Sequence, residues 1–116
     1  MGGHEDKKIW KIRTVKGYAE AHSHILVGEV LSTQDSFVRL RCRTYHFGRS
    51  VSSPRDIKKG EYGVRIVPWS RIELVNELPS TFDYSKATLT ADKEGNVILT
   101  DGRASCIIAS SFDKRY

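Results

Sequence analysis

Between Ser36 and Phe47 the chain reads SFVRLRCRTYHF, with Arg39, Arg41 and Arg43 at every second position. Period-two alternation predicts an extended strand whose successive side chains point to opposite faces. One face then carries Val38, Leu40 and Cys42 and turns to a core. The other carries Phe37, Arg39, Arg41, Arg43, Tyr45 and Phe47. Guanidinium groups beside aromatic rings are the ingredients of a single-stranded nucleic-acid platform. The cations neutralise phosphates, and the rings stack bases at roughly 1–3 kcal/mol each. The same pattern describes a solvated face of an amphipathic strand, or arginines paired across the sheet with Glu73 and Glu77.

Other reactive residues form weaker patterns. His22 and His24 sit two apart, on one side of an extended segment. A metal site would need further ligands, and neither Cys-x-x-Cys nor His-Glu-x-x-His occurs. Solvated histidines near a turn are the expectation, with no metal. Ser105 and Cys106 lie in an apolar run, which points to a core cysteine rather than a nucleophile. The carboxylates form no acid/base pair and the glycines no phosphate-cradling loop. No enzyme and no cofactor are expected.

The elements that position these residues fit one domain, since the chain has 116 residues. Its net charge of +5 favours acidic partners such as nucleic acid, or serves solubility alone. No apolar run approaches the roughly 18 residues of a membrane span, and MGGHEDKKIW has no apolar signal core. With no export signal, Cys42 and Cys106 are expected as reduced thiols in a cytoplasmic protein, with a single disulfide as the alternative.

The pattern is that of strands. Residues 1–8 read as a disordered lead. IWKIRTV is a first strand, followed by a turn at Lys16-Gly17 and a stretch, YAEA, that suits a helical turn or more strand. HILVGEVL is a second strand, with Gly28 marking a bend or a close backbone approach. The arginine strand follows, then a mobile loop, GRSVSSPRDIKKG. EYGVRIVPW and RIELVNEL are a fourth and fifth strand around a corner at Pro68 to Ser70. After the linker PSTFDYS, the turns DKEGN and TDGR mark off a three-strand meander at about 86–91, 96–100 and 103–109. Val38, Leu40, Ile66, Ile72 and Leu74 are the predicted core or closing contacts, and SFDKRY is a frayed tail.

Over residues 9–76 the chain resembles the Sm-like small barrels, which include the Sm and Lsm proteins and the bacterial host factor Hfq. Asp35, Phe37, Val38 and Leu40 match the Asp-x-Phe-Val-x-Leu of the first Hfq motif, and Ile72 and Val75 the Ile-x-x-Val of the second. Gly28 to Asp35 is one residue longer than in the family, which suggests a bulge. In the family the aromatic after the Asp stacks on a base, a place taken here by Phe37. The base-reading asparagine is replaced by Arg39 and the Hfq glutamine by Ser36, and the corner reads Pro68-Trp69-Ser70-Arg71.

The resemblance implies an all-β fold: a strongly bent five-stranded Sm-like (SH3-like) barrel over 9–78, with 79–116 as a C-terminal meander extension. It also implies a homo-oligomeric ring, because the family pairs its edge strands between subunits. Two functions follow. One is single-stranded RNA binding by Phe37, Arg39, Arg41, Arg43, Tyr45, Trp69, Ser70 and Arg71. The other is an oligomeric scaffold or protein-interaction module that kept the barrel without RNA, its meander carrying the partner contacts; Trp69 and Arg71 then serve equally as an interface anchor.

Overall fold

The structure is a computed structural model that describes residues 7–17, 22–48 and 51–110. The segment YAEA, most of the lead and the tail SFDKRY lie outside the described residues. The fold is all-β, in two antiparallel sheets. The first contains β1 (Ile9–Thr14), β2 (Ser23–Thr33), β3 (Phe37–Phe47), β4 (Lys58–Pro68) and β5 (Ile72–Leu78), in the order β4-β3-β2-β1-β5. The second contains β6 (Thr88–Ala91), β7 (Val97–Thr100) and β8 (Ser105–Ala109), in that order.

A corner lets β5 return beside β1. Pro68 ends β4, and Trp69–Arg71 form one turn of 3-10 helix. The Trp69 amide donates to the Ser36 carbonyl (3.1 Å) and the Val15 amide to the Arg71 carbonyl (2.8 Å). The corner is thus tied to the loop before β3 and to the end of β1. It leaves β4 and β5 as the two edges of the first sheet.

Alternation along the central strands gives that sheet two apolar faces. Ile12, Leu26, Val38, Leu40, Cys42 and Val67 form the inner cluster, with Trp10, Trp69, Ile72 and Val75 packed against it. Ile9, Ile25, Val27, Tyr45 and Phe47 face the other way. They are covered by Phe82 and Tyr84 from the linker and by Val97, Leu99, Ile108 and Ala109 from the second sheet. The segment expected as an extension therefore shares a core with the first sheet. Val38 and Leu40 are fully buried and Ile72 half-buried, but Ile66 and Leu74 are 60% and 47% exposed. Both sit on the edge strands β4 and β5, which among the described residues are paired on one side only.

Gly28 marks the expected close approach. A Cβ there would overlap the Arg41 carbonyl oxygen and lie 2.5 Å from the Cys42 Cα. The expected bulge is also present: the β2–β3 register shifts between Val30 and Ser32, leaving Leu31 as the extra residue. The two meander turns lie where the sequence places them, with positive φ at Gly95 and Gly102. The loop expected to be mobile instead buries Val51 and Ile57 in the outer cluster. A capping box holds it, with Asp56 accepting from the Ser53 amide and the Ser53 hydroxyl accepting from the Arg55 amide. β4 consequently begins at Lys58.

Candidate functional site

The arginine face is real but divided. Cross-strand register sets Arg39 beside Ile66, Arg41 beside Val64 and Arg43 beside Tyr62 of β4. On its other side Arg41 faces Glu29 of β2. Arg39 and Arg41 are exposed, while Arg43 is half-buried, and among the described residues its Nε atom has no hydrogen-bond partner. Pairing with Glu73 and Glu77 does not occur across the sheet, because β2 and β1 separate β3 from β5.

Tyr45 is a correction. It follows the arginines in strict alternation, but the second sheet covers that end of the face and leaves Tyr45 fully buried. Among the described residues its hydroxyl has no hydrogen-bond partner, and burial pushes its pKa up to about 12, against the opposing charge of Arg43. It offers no ring to a base. Phe47 is buried in the same cluster.

The corner residues are brought toward Phe37, which pairs in register with Pro68. Phe37 is half-buried. The Trp69 Nε1 donates to the Gln34 carbonyl (2.7 Å), and its ring lies 6.4 Å from that of Trp10. Trp69 thus closes one end of the inner cluster and keeps only part of its surface exposed. Ser70 and Arg71 are exposed. Arg71 lies within electrostatic reach of His24, away from the arginine row.

His24 packs edge-on against His46, at 4.7 Å between ring centres. Burial lowers its pKa first, followed by the nearby charges of His46, His22 and Arg71. Among the described residues, no group of three or more His, Cys, Asp or Glu side chains is arranged to hold a metal. Cys42 and Cys106 are free thiols. Cys42 lies in the inner cluster and Cys106, in β8, packs against the outer one, which places them on opposite sides of the first sheet and sets them against a mutual disulfide. Burial raises both, Cys42 to about 11.

One concave site adjoins the arginine row, a groove of about 640 Å³ that sequence reading missed. Residues 79–87 form a strap that crosses the outer face and points Phe82 and Tyr84 down onto it. The Tyr62 hydroxyl donates to that of Tyr84 (3.1 Å), which donates to Glu29 Oε1 (3.3 Å). Burial raises the Tyr84 pKa first, and the Glu29 charge raises it further. The Asp83 amide donates to Asp101 Oδ2 (2.9 Å), fixing the strap to the second sheet. Arg41 and Lys7 line the open side, and Ile9 and Phe82 the apolar side. The missed residues had one legible signal, the clustering of Phe82 and Tyr84 in a segment otherwise composed like a linker.

No helix among the described residues is long and apolar enough to cross a membrane. The chain matches no known family model, no curated protein and no solved structure.

Proposed function

We propose that this chain is a self-assembling Sm-like subunit whose exposed arginine row binds single-stranded RNA. The observation that carries the assembly is the contrast between its two open edges. β4 offers Val64 and Ile66, 46% and 60% exposed, on the outer face, with Arg65 on the inner one. β5 offers Leu74 on the outer face and Glu77 on the inner one. Exposed edge strands invite pairing, and two different edges join head to tail, a geometry that closes into rings. A register with Arg65 opposite Glu77 of the next copy sets Val64 against Leu78. Repetition then lines up Arg39 and Arg41 from successive copies as a track for phosphates.

A second reading, an interaction module without RNA, draws support from two observations. Tyr45 is buried, and Trp69 spends its N–H on Gln34. One experiment separates the readings. Oligo(U) and oligo(A) are titrated by anisotropy at two salt concentrations, alongside sedimentation of the protein. The RNA reading expects log K to fall with log salt by about 0.7 per phosphate contact. Replacing Arg41 with Ala removes about one contact's worth of that slope. An oligomer that binds neither RNA below about 100 μM at low salt supports the module without RNA.

A further inference from the structure

We propose that the groove beneath the strap is a nucleotide site, taking one base–ribose–phosphate unit; the proposal deepens the RNA reading above and rests on it for the RNA source of the ligand. Its volume of about 640 Å³ falls in the range of small-ligand sites. The groove has three chemical parts. Lys7 and Arg41 line it as exposed cations, and among the described residues neither side chain has a hydrogen-bond or ion-pair partner. They call for an anionic group, and a guanidinium grips phosphate oxygens two at a time.

The acids form the second part. Glu29 accepts from Tyr84, and Asp83 accepts from the Ser85 hydroxyl (2.7 Å). Each carboxylate keeps further lone pairs, which suit a ligand rich in hydroxyl donors. Ser80 and Thr81 add exposed hydroxyls at the rim. The two acids also balance the two cations, so a bare anion gains little from net charge here.

The third part is aromatic. Tyr62 is 37% exposed and lines the groove, its ring held 5.7 Å from that of Tyr84 at 43°. The hydroxyl bond to Tyr84 fixes the Tyr62 ring, which leaves a preset face for a flat ligand ring. A ligand with one phosphate, free hydroxyls and a flat ring meets all three parts. A sugar phosphate lacks the ring, and a nucleoside lacks the anion.

The test titrates the full chain with adenosine 5′-monophosphate, adenosine and ribose 5-phosphate, by calorimetry, and with oligo(A) by anisotropy. The mononucleotide is expected to bind more tightly than about 1 mM, and each fragment roughly tenfold more weakly. Arg41→Ala and Tyr62→Leu should each weaken it roughly tenfold, whereas Thr90→Ala, at an exposed position of β6 outside the groove, should not. Far-UV circular dichroism checks that each variant folds, and Arg41→Lys should recover part of the loss. Equal binding of ribose 5-phosphate and the mononucleotide overturns the proposal, as does binding that ignores Arg41→Ala. Oligo(A) that binds but is neither displaced by the mononucleotide nor weakened by Tyr62→Leu overturns the groove and leaves the RNA reading standing. Mononucleotide binding with no oligo(A) binding does the reverse: it upholds the nucleotide site and removes RNA as the source.

Discussion

The hydroxyl of Tyr62 donates to the hydroxyl of Tyr84 across 3.1 Å, joining the edge strand β4 to the strap that covers the sheet. Tyr84 passes the interaction on to Glu29 of β2. Replacing Tyr84 with Phe strands the Tyr62 donor and the Glu29 acceptor together. The expected loss is about 1–2 kcal/mol in urea unfolding. Tyr62→Phe removes only the first bond and should cost less. A double-mutant cycle should give a coupling of at least about 0.5 kcal/mol. Additivity would mean that the two hydroxyls do not interact in solution.

Tyr45→Phe should be neutral or stabilising, because the hydroxyl it removes is buried without a partner. It should also change the alkaline limb. The Tyr45 pKa rises from 10.0 to about 12 in the folded protein. The unfolded chain therefore loses this proton first, and stability falls as pH rises from about 10 to about 12. Cys42, raised from 9.0 to about 11, adds a similar fall that begins lower. Urea midpoints between pH 8 and 11.5 should drop less steeply in Tyr45→Phe than in the parent; parallel curves would contradict the burial.

Asp101 works at the acid end. Its carboxylate accepts from the amides of Asp83, Arg103 and Ala104, which pulls it down to about 2. A folded pKa below the unfolded one means stability that is present above about pH 4 and lost as pH falls toward 2. Asp101→Asn should flatten this part of the acid unfolding curve. It should also loosen the strap, seen as faster amide exchange at Asp83. Protection unchanged at Asp83 would count against the tie.

Gly28→Ala should be among the most damaging single changes. Its Cβ would meet backbone atoms of Arg41 and Cys42, which cannot rotate away. Overpacking in a well-packed interior costs typically 1–3 kcal/mol, occasionally more. Gly63→Ala, with open space around the same probe, should differ little from the parent. Thermal midpoints of the two variants make the comparison.

Assembly should depend on Arg65 and Glu77. Arg65→Glu should shift the sedimentation profile toward monomer, and adding Glu77→Arg should restore it. Like charges placed opposite each other on paired strands are destabilising. A monomeric parent at every concentration would remove the head-to-tail assembly.

Strand positions were legible in the sequence because alternation and turn chemistry are local. SFVRLRCRTYHF and the Asp101-Gly102 turn were read from neighbouring residues alone, and the bulge before Asp35 from a spacing one residue longer than in the family it resembles. What lay beyond reach was the second cover. Nothing in the period-two pattern distinguishes Arg39, which stays in water, from Tyr45, which goes beneath Val97 and Leu99. That difference depends on residues more than fifty positions later. The groove was hidden for the same reason: Tyr62, Tyr84 and Glu29 meet only once the strap crosses the sheet.

The double cover also sets where this chain is free to vary over evolutionary time. The buried residues of β2 and β3 answer to packed neighbours, Leu26, Val38, Leu40 and Cys42 on one face and Ile25, Val27, Tyr45 and Phe47 on the other. Drift there is confined to swaps of similar volume. The rims are held less tightly, with Val64, Ile66 and Leu74 each about half exposed, so these positions tolerate change better. The rims can therefore change while the interior stays as it is. An ancestor lacking residues 79–110 would have needed some other tenant for the surface around Ile25, Val27 and Phe47.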